Sequence, residues 1–446
     1  MGISSLISPL ITTSDNTVVG EGAGAALTDE TGNTILGNGA GAVCTADANT
    51  FIGESAGASV TTGIQCTHIG FEAGTTGSTA GYNTYLGYQA GKAGTSAANS
   101  VAIGNGAASS LTTGLKTCAV GSGAGSKIEG GNYNTIFGAN AGADIVGNGN
   151  NTIIGGLCGY NATAASMVLV GYEAGKSCTL NGLVAVGYTA GRTNVTGEHN
   201  TYLGYEAGYT NNDGDDICCV GYRAGKAITV SYGTFVGANA GIDTTTGGYN
   251  TFVGTDAGLK NIGGVGNTFI GDEAGAYLAN GSTANTTNVD NTFIGSSTRA
   301  DAITDSNSIV IGSVALGIGS NTTVIGNSDT TDAKIWGTLE TSEVVKEAWT
   351  TVAATSGAYG GVDNRAKGYS FTTNNTADLT VALGNGDFNG QEMNFFLTTK
   401  DTNNVVITPA NYHNGSTITL DTTLDWVHMM YIDGGWIVLS SNATLA

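Results

Sequence analysis

Four segments of this chain are near copies of one another: NTYLGYQAG (83–91), NTYLGYEAG (200–208), NTFVGTDAG (250–258) and NTFIGDEAG (267–275). Self-similarity at a fixed period restricts a chain to architectures made by stacking one unit. With the first Gly of each copy as an anchor, nineteen anchors run from Gly20 to Gly326, and sixteen of the eighteen spacings are 16 or 17 residues. The exceptions are 24, from Gly271 to Gly295, and 14, from Gly312 to Gly326. A unit of this length is too short for a strand plus a crossover helix, which needs about thirty residues. It fits one coil of a β-solenoid: a short strand, a Gly corner, a small-residue segment and a variable polar turn. Nineteen coils at ~4.8 Å each predict a shaft of roughly 90 Å. The surplus in AYLANGSTANTTNVD (276–290) is expected to loop out without interrupting the stack.

The columns of the repeat carry the next inference. The residue before the anchor is aliphatic in eighteen coils and Phe137 in the other. Three before it stand Thr in thirteen coils, Val in three, Ile309 in one, and Cys118 and Cys218 in the rest. Side chains two apart share a face of a strand, so uniform aliphatics suggest that these two columns line the inside. Thr would then bond the backbone of the next coil. The column between them should point outward. It holds Phe51, Tyr85, Tyr202, Phe235, Phe252, Phe269 and Phe293, together with His68. An exposed apolar stripe needs a cover, so these seven rings are the expected interface of a homotrimer. Asn four before the anchor, in ten coils, is expected at a corner with stacked amides bonded to each other.

Composition narrows the function classes. Gly occurs 73 times without a three-residue period, which excludes collagen. Charged residues are 11% of the chain and the net charge is −21, an acidic balance that argues against a phosphate-backbone partner and keeps rods apart in solution. No stretch has the length and apolarity of a membrane span. The N-terminal MGISSLISPLITTSDNT lacks a basic segment before a long apolar run, so no export signal is expected and synthesis should be cytoplasmic. Seven cysteines form no CxxC pair and are expected as small buried hydrophobes, with neither disulfide nor zinc role.

NSVAIGNGA (99–107) and NSIVIGSVA (307–315) resemble the head repeats of trimeric autotransporter adhesins, and the longer NTxxGxxAG unit is similar to the shafts of bacteriophage tail fibres. The resemblance covers about residues 16–330. It implies a left-handed parallel β-roll, wound as a homotrimeric rod. Without an export signal or a membrane-barrel anchor, the phage-fibre reading stands ahead of a cell-surface adhesin. On that reading residues 1–15 attach the fibre to a virion protein, 16–330 form the shaft, 331–350 a junction and 351–446 a C-terminal β-rich knob. The protein is then made in the host cytoplasm and located on the virion.

Beyond the junction the repeat stops. Alternating or apolar runs predict strands at 368–373, 378–383, 392–399, 404–409, 416–421, 426–432 and 435–441, separated by Gly, Asn and Asp turns. The resulting domain should be sandwich-like or a barrel, with Trp426 and Trp436 in its core. Its run from Gly390 to Ser441 is similar to C-terminal domains of marine phage fibres. The loop ANYHNGS (410–416) places Tyr412, His413 and Asn414 as candidate receptor-binding residues for a host glycan or surface protein. GYEAGKS (171–177) and GYTAGRT (187–193) imitate a phosphate-binding loop but miss one residue of its spacing and precede no amphipathic helix. NNDGDDI (211–217) offers carboxylates without a calcium-loop pattern. Four histidines assemble no catalytic set. No catalytic, cofactor or metal residue is therefore expected. A polysaccharide-cleaving tailspike is disfavoured because no carboxylate pair breaks the repeat. Ice binding through the Thr column is disfavoured by its Cys and Val interruptions.

Overall fold

A computed structural model describes residues 15–77, 79–330 and ten strands between 349 and 445. The chain divides into two compact units, Met1–Ala333 and Lys334–Ala446. No helix occurs among the described residues.

The first unit is the β-solenoid that the repeat predicts. Nineteen three-residue strands, from β1 (Thr17–Val19) to β19 (Thr323–Ile325), form one parallel sheet in which each strand pairs with the next in sequence. Register is constant: Thr17 faces Thr34, Phe252 faces Phe269, and Ile311 faces Ile325. Eighteen steps at ~4.8 Å give a stack of about 86 Å. The long coil keeps this register, because Thr268 still faces Thr292. Its surplus folds out as a hairpin in which Tyr277 bridges Ala284 and Leu278 N–H donates to Thr283 O at 2.8 Å.

Each strand is followed by a corner on the anchor glycine. Gly87 has φ 134°. A Cβ there would lie 2.6 Å from the carbonyl oxygen of Gly104, the anchor of the coil above. Both the dihedral and the backbone-on-backbone approach exclude a side chain. Gly87→Ala should therefore lower solenoid stability by about 3 kcal/mol or more, read as a fall in denaturant midpoint at unchanged slope. A substitution without effect would mean that the corners do not stack as described.

The inside of the coil is the reverse of the expectation. The middle residue of the strand faces in: Phe51, Tyr202, Phe235, Phe252, Phe269 and Phe293 are 0% exposed and Tyr85 1%. The flanking columns face out, with the strand pattern exposed–buried–exposed or its half-buried equivalent in almost every coil. Phe252 stacks on Phe269 at 4.8 Å and Phe269 on Phe293 at 5.0 Å, so the rings form an internal column. The reason is volume. The second glycine of the repeat lies directly against the ring: a Cβ on Gly57 would meet Phe51 at 2.8 Å, and one on Gly91 would meet Tyr85 at 2.6 Å. Seven residues after the anchor a third inward position compensates. It is Leu111 or Ile128 where the strand offers Ala102 or Ala119, and Gly77 or Gly94 where it offers His68 or Tyr85.

The buried Asn column, on the same face as the rings, serves the backbone more than its own kind. Asn83 Oδ1 accepts from Ser100 N at 2.9 Å, and its Nδ2 donates to Ala97 O at 2.6 Å, both in the next coil. Asn250 does the same with Asn267 N and Gly264 O. Amide-to-amide bonds within the column join Asn151 to Asn134 and Asn267 to Asn250. Each Asn thus satisfies a backbone donor and acceptor that a tight corner leaves unpaired. Outward hydroxyls add a second set of rungs: Thr76 Oγ1 donates to Lys92 O at 2.6 Å and Thr210 Oγ1 to Lys226 O at 3.0 Å.

The second unit holds two five-stranded sheets, and its first six strands alternate between them. One holds β20 (Trp349–Ala354), β22 (Gly368–Thr373), β24 (Gln391–Thr399), β27 (Trp426–Ile432) and β28 (Gly435–Ser441); the other holds β21 (Gly357–Gly360), β23 (Leu379–Leu383), β25 (Val405–Pro409), β26 (Ile418–Leu420) and β29 (Thr444–Leu445). The first three strands of each sheet are parallel and the rest antiparallel. Seven of the ten follow the predicted runs. Ile407, Ile418, Leu420, Val427 and Met429 are buried, while Trp426 is exposed, against its expected place in the core.

Candidate functional site

The seven rings expected at a protomer interface, Phe51, Tyr85, Tyr202, Phe235, Phe252, Phe269 and Phe293, are core residues of a single chain and offer nothing to a partner. His68 shares their fate. It lies between Phe51, at 5.1 Å, and Tyr85, stacked at 4.7 Å, with neither ring nitrogen hydrogen-bonded. Burial alone holds its pKa down to about 3, so the imidazole is neutral. Tyr412, His413 and Asn414 fall outside the described residues.

Outside, the strand face presents two parallel columns. The aliphatic one contributes Leu36, Leu86, Phe137, Leu203 and Ile270, each more than a third exposed. Beside it runs the Thr column with its Val and Cys substitutions. Cys118 and Cys218 are half-buried there, which corrects the expectation that every cysteine is interior. The other five are buried. Burial raises the thiol pKa of each, to about 12 for Cys158, so they are inert thiols.

Around the Gly corner from this face lies a second outward feature that the sequence reading overlooked. Directly after the anchor, four successive coils carry Tyr172, Tyr188, Tyr205 and Tyr222, 40–46% exposed. Their rings are parallel within 8–17° at 5.1–5.5 Å. The signal lies in the Gly-Tyr dipeptides of 171–172, 187–188, 204–205 and 221–222, which recur one coil apart. Glu173 binds Lys176 and Arg192, both at 2.6 Å, and Glu206 binds Arg223 at 2.9 Å and Lys226 at 2.7 Å. The lysine hydrogen bonds lead in lowering the pKa of both carboxylates.

The imitation motifs have structural duties. Gly171 is an anchor corner and Lys176 is paired with Glu173, so the phosphate-loop likeness of 171–177 is repeat chemistry. In 211–217, Asn211 Oδ1 accepts from Gly214 N at 2.9 Å and Asp215 Oδ1 from Glu198 N at 2.8 Å. Among the described residues no group of three His, Cys, Asp or Glu side chains is placed to hold a metal ion. No family model and no curated protein matches the chain.

Proposed function

We propose that this chain is a structural, non-enzymatic fibre protein of a virion, a homotrimer whose solenoid shaft holds a recognition domain away from the particle. The observation that carries the reading is the outward aliphatic column. It repeats on every rung, from Val19 to Ile325, along a single parallel sheet. An apolar stripe of that length is far beyond what a soluble monomer ordinarily leaves in water. Two further copies of the same chain are its occupants. The stripe has the same rung spacing as its copies, and cyclic closure covers all three without open-ended growth. The aliphatic column stands where the aromatic column was expected, on the outward face of the strand.

A spacer role agrees with the register. Each coil bonds only its neighbours, so the length is set by coil count. The resemblance of the repeat to phage-fibre shafts supplies the virion, the attachment end at residues 1–15 and a host glycan or protein as the target of 351–446. Light scattering on the full chain should give three times 44.5 kDa, and gold-labelled antibody should mark fibres on the source particle. A stable monomer would remove the trimer, and label away from fibres would remove the virion role.

A further inference from the structure

We propose that the shaft carries its own ligand site, a stacking shelf for an acidic pyranoside at the Tyr172 end of the tyrosine ladder. Within the ladder the rings cover one another, so Tyr188 and Tyr205 offer only edges and hydroxyls. Tyr172 is different. In the coil below, the position after the anchor is Gly156, the one glycine in that column of nineteen. The Tyr172 ring overhangs it: a Cβ on Gly156 would lie 3.7 Å from Tyr172 Cδ2. One aromatic face is therefore left without a ring partner above a vacant rung. A rung is about 4.8 Å tall, close to the separation of the stacked pairs that continue the ladder, so the vacancy is the height of one ring.

The chemistry around the shelf selects the ring. A pyranose presents an apolar C–H face to an aromatic and its polar groups to the rim. Lys176, on the coil of Tyr172, and Arg192, on the coil of Tyr188, both bind the single carboxylate of Glu173, the residue after Tyr172, leaving one positive charge over. The same excess recurs two coils on, where Arg223 and Lys226 share Glu206. Two surplus cations on one panel of a chain with net charge −21 favour a carboxylate-bearing sugar over a neutral one. They are too few for a nucleic acid, whose phosphates need a longer cationic track. This site is independent of the fibre reading, since it rests on one panel of one chain.

The structure also supplies a variant that closes the shelf. Gly156 does not have a positive φ, its Cβ would be in ordinary contact, and the next four coils carry Tyr at this position. Gly156→Tyr should extend the ladder by one ring and fold normally, as judged by an unchanged thermal transition. Calorimetric titration of the full-length protein with tetragalacturonate should show binding that falls at least about tenfold in Gly156→Tyr and in Tyr172→Ala, and falls likewise when the probe is the fully methyl-esterified tetramer. Absence of binding to the wild type, equal binding by Gly156→Tyr, or equal affinity for the neutral ester would each overturn the proposal.

Discussion

Phe252→Asp should unfold the middle of the solenoid, whereas Val253→Asp, one residue along the same strand, should leave each chain folded and separate the chains. Phe252 is fully buried, stacked 4.8 Å from Phe269 and edge-on to Phe235 at 5.4 Å. Losing the ring removes about 3–5 kcal/mol of burial and packing. An unpaired carboxylate in its place adds a desolvation penalty of several kcal/mol more. Val253 faces outward with its side chain half-buried in the single chain. A charge there meets water in a monomer, but meets two copies of itself in a trimer closed on that column. The check is circular dichroism together with light scattering on both variants. If Val253→Asp remains a trimer, the strand face is not the interface. If Phe252→Asp stays folded, the rings do not hold the core.

Acidification should loosen coils three to five, and His68→Phe should reduce that sensitivity. The imidazole is surrounded by Phe51, Tyr85 and Gly74, none of them charged, and burial lowers its pKa from 6.5 to about 3. A group whose folded pKa is depressed binds its proton more readily when unfolded. Its contribution is complete above pH 6.5 and is lost as pH falls towards 3, by about 1.4 kcal/mol per pH unit in that interval. Each protonation would place a cation in a site with no acceptor. The column already accepts Phe at position 51 and Tyr at position 85, so a Phe ring should stack in place of His68. Hydrogen exchange at Thr67 and Thr84 between pH 6.5 and 5 should accelerate in the wild type relative to the variant. Parallel pH profiles would show that His68 does not titrate with unfolding. The wild-type-minus-variant difference removes the general effect of neutralising an acidic chain.

Much of the shaft could be read without coordinates. Period, anchor positions and the parallel stack follow from the recurrence of NTxxGxxAG, because only a coil of about 17 residues lets the same atoms meet at every turn. The looped-out surplus in 276–290 was legible from the spacing of 24, since the columns resume unchanged at Thr292. Seven strands of the second unit were legible from alternation and turn residues. The tyrosine shelf was not. It depends on which outward columns neighbour one another across a corner, and on Gly156 breaking a ladder whose existence becomes evident only when coils are superposed.

The orientation of the strand was the decision left to tertiary structure. In a three-residue strand, alternation separates one central side chain from two flanking ones but does not say which set is enclosed. Uniform aliphatics in the flanking columns suggested the wrong set. The enclosing coil decides by volume. Gly57 and Gly91 leave room for one ring, Leu111 fills the space beside Ala102, and Asn83 and Asn250 join the same interior to bond the backbone of the next coil. The sequence by itself determined that coils stack and where each begins. Which face each coil closes over depended on side-chain volumes from three parts of the repeat meeting in one cross-section.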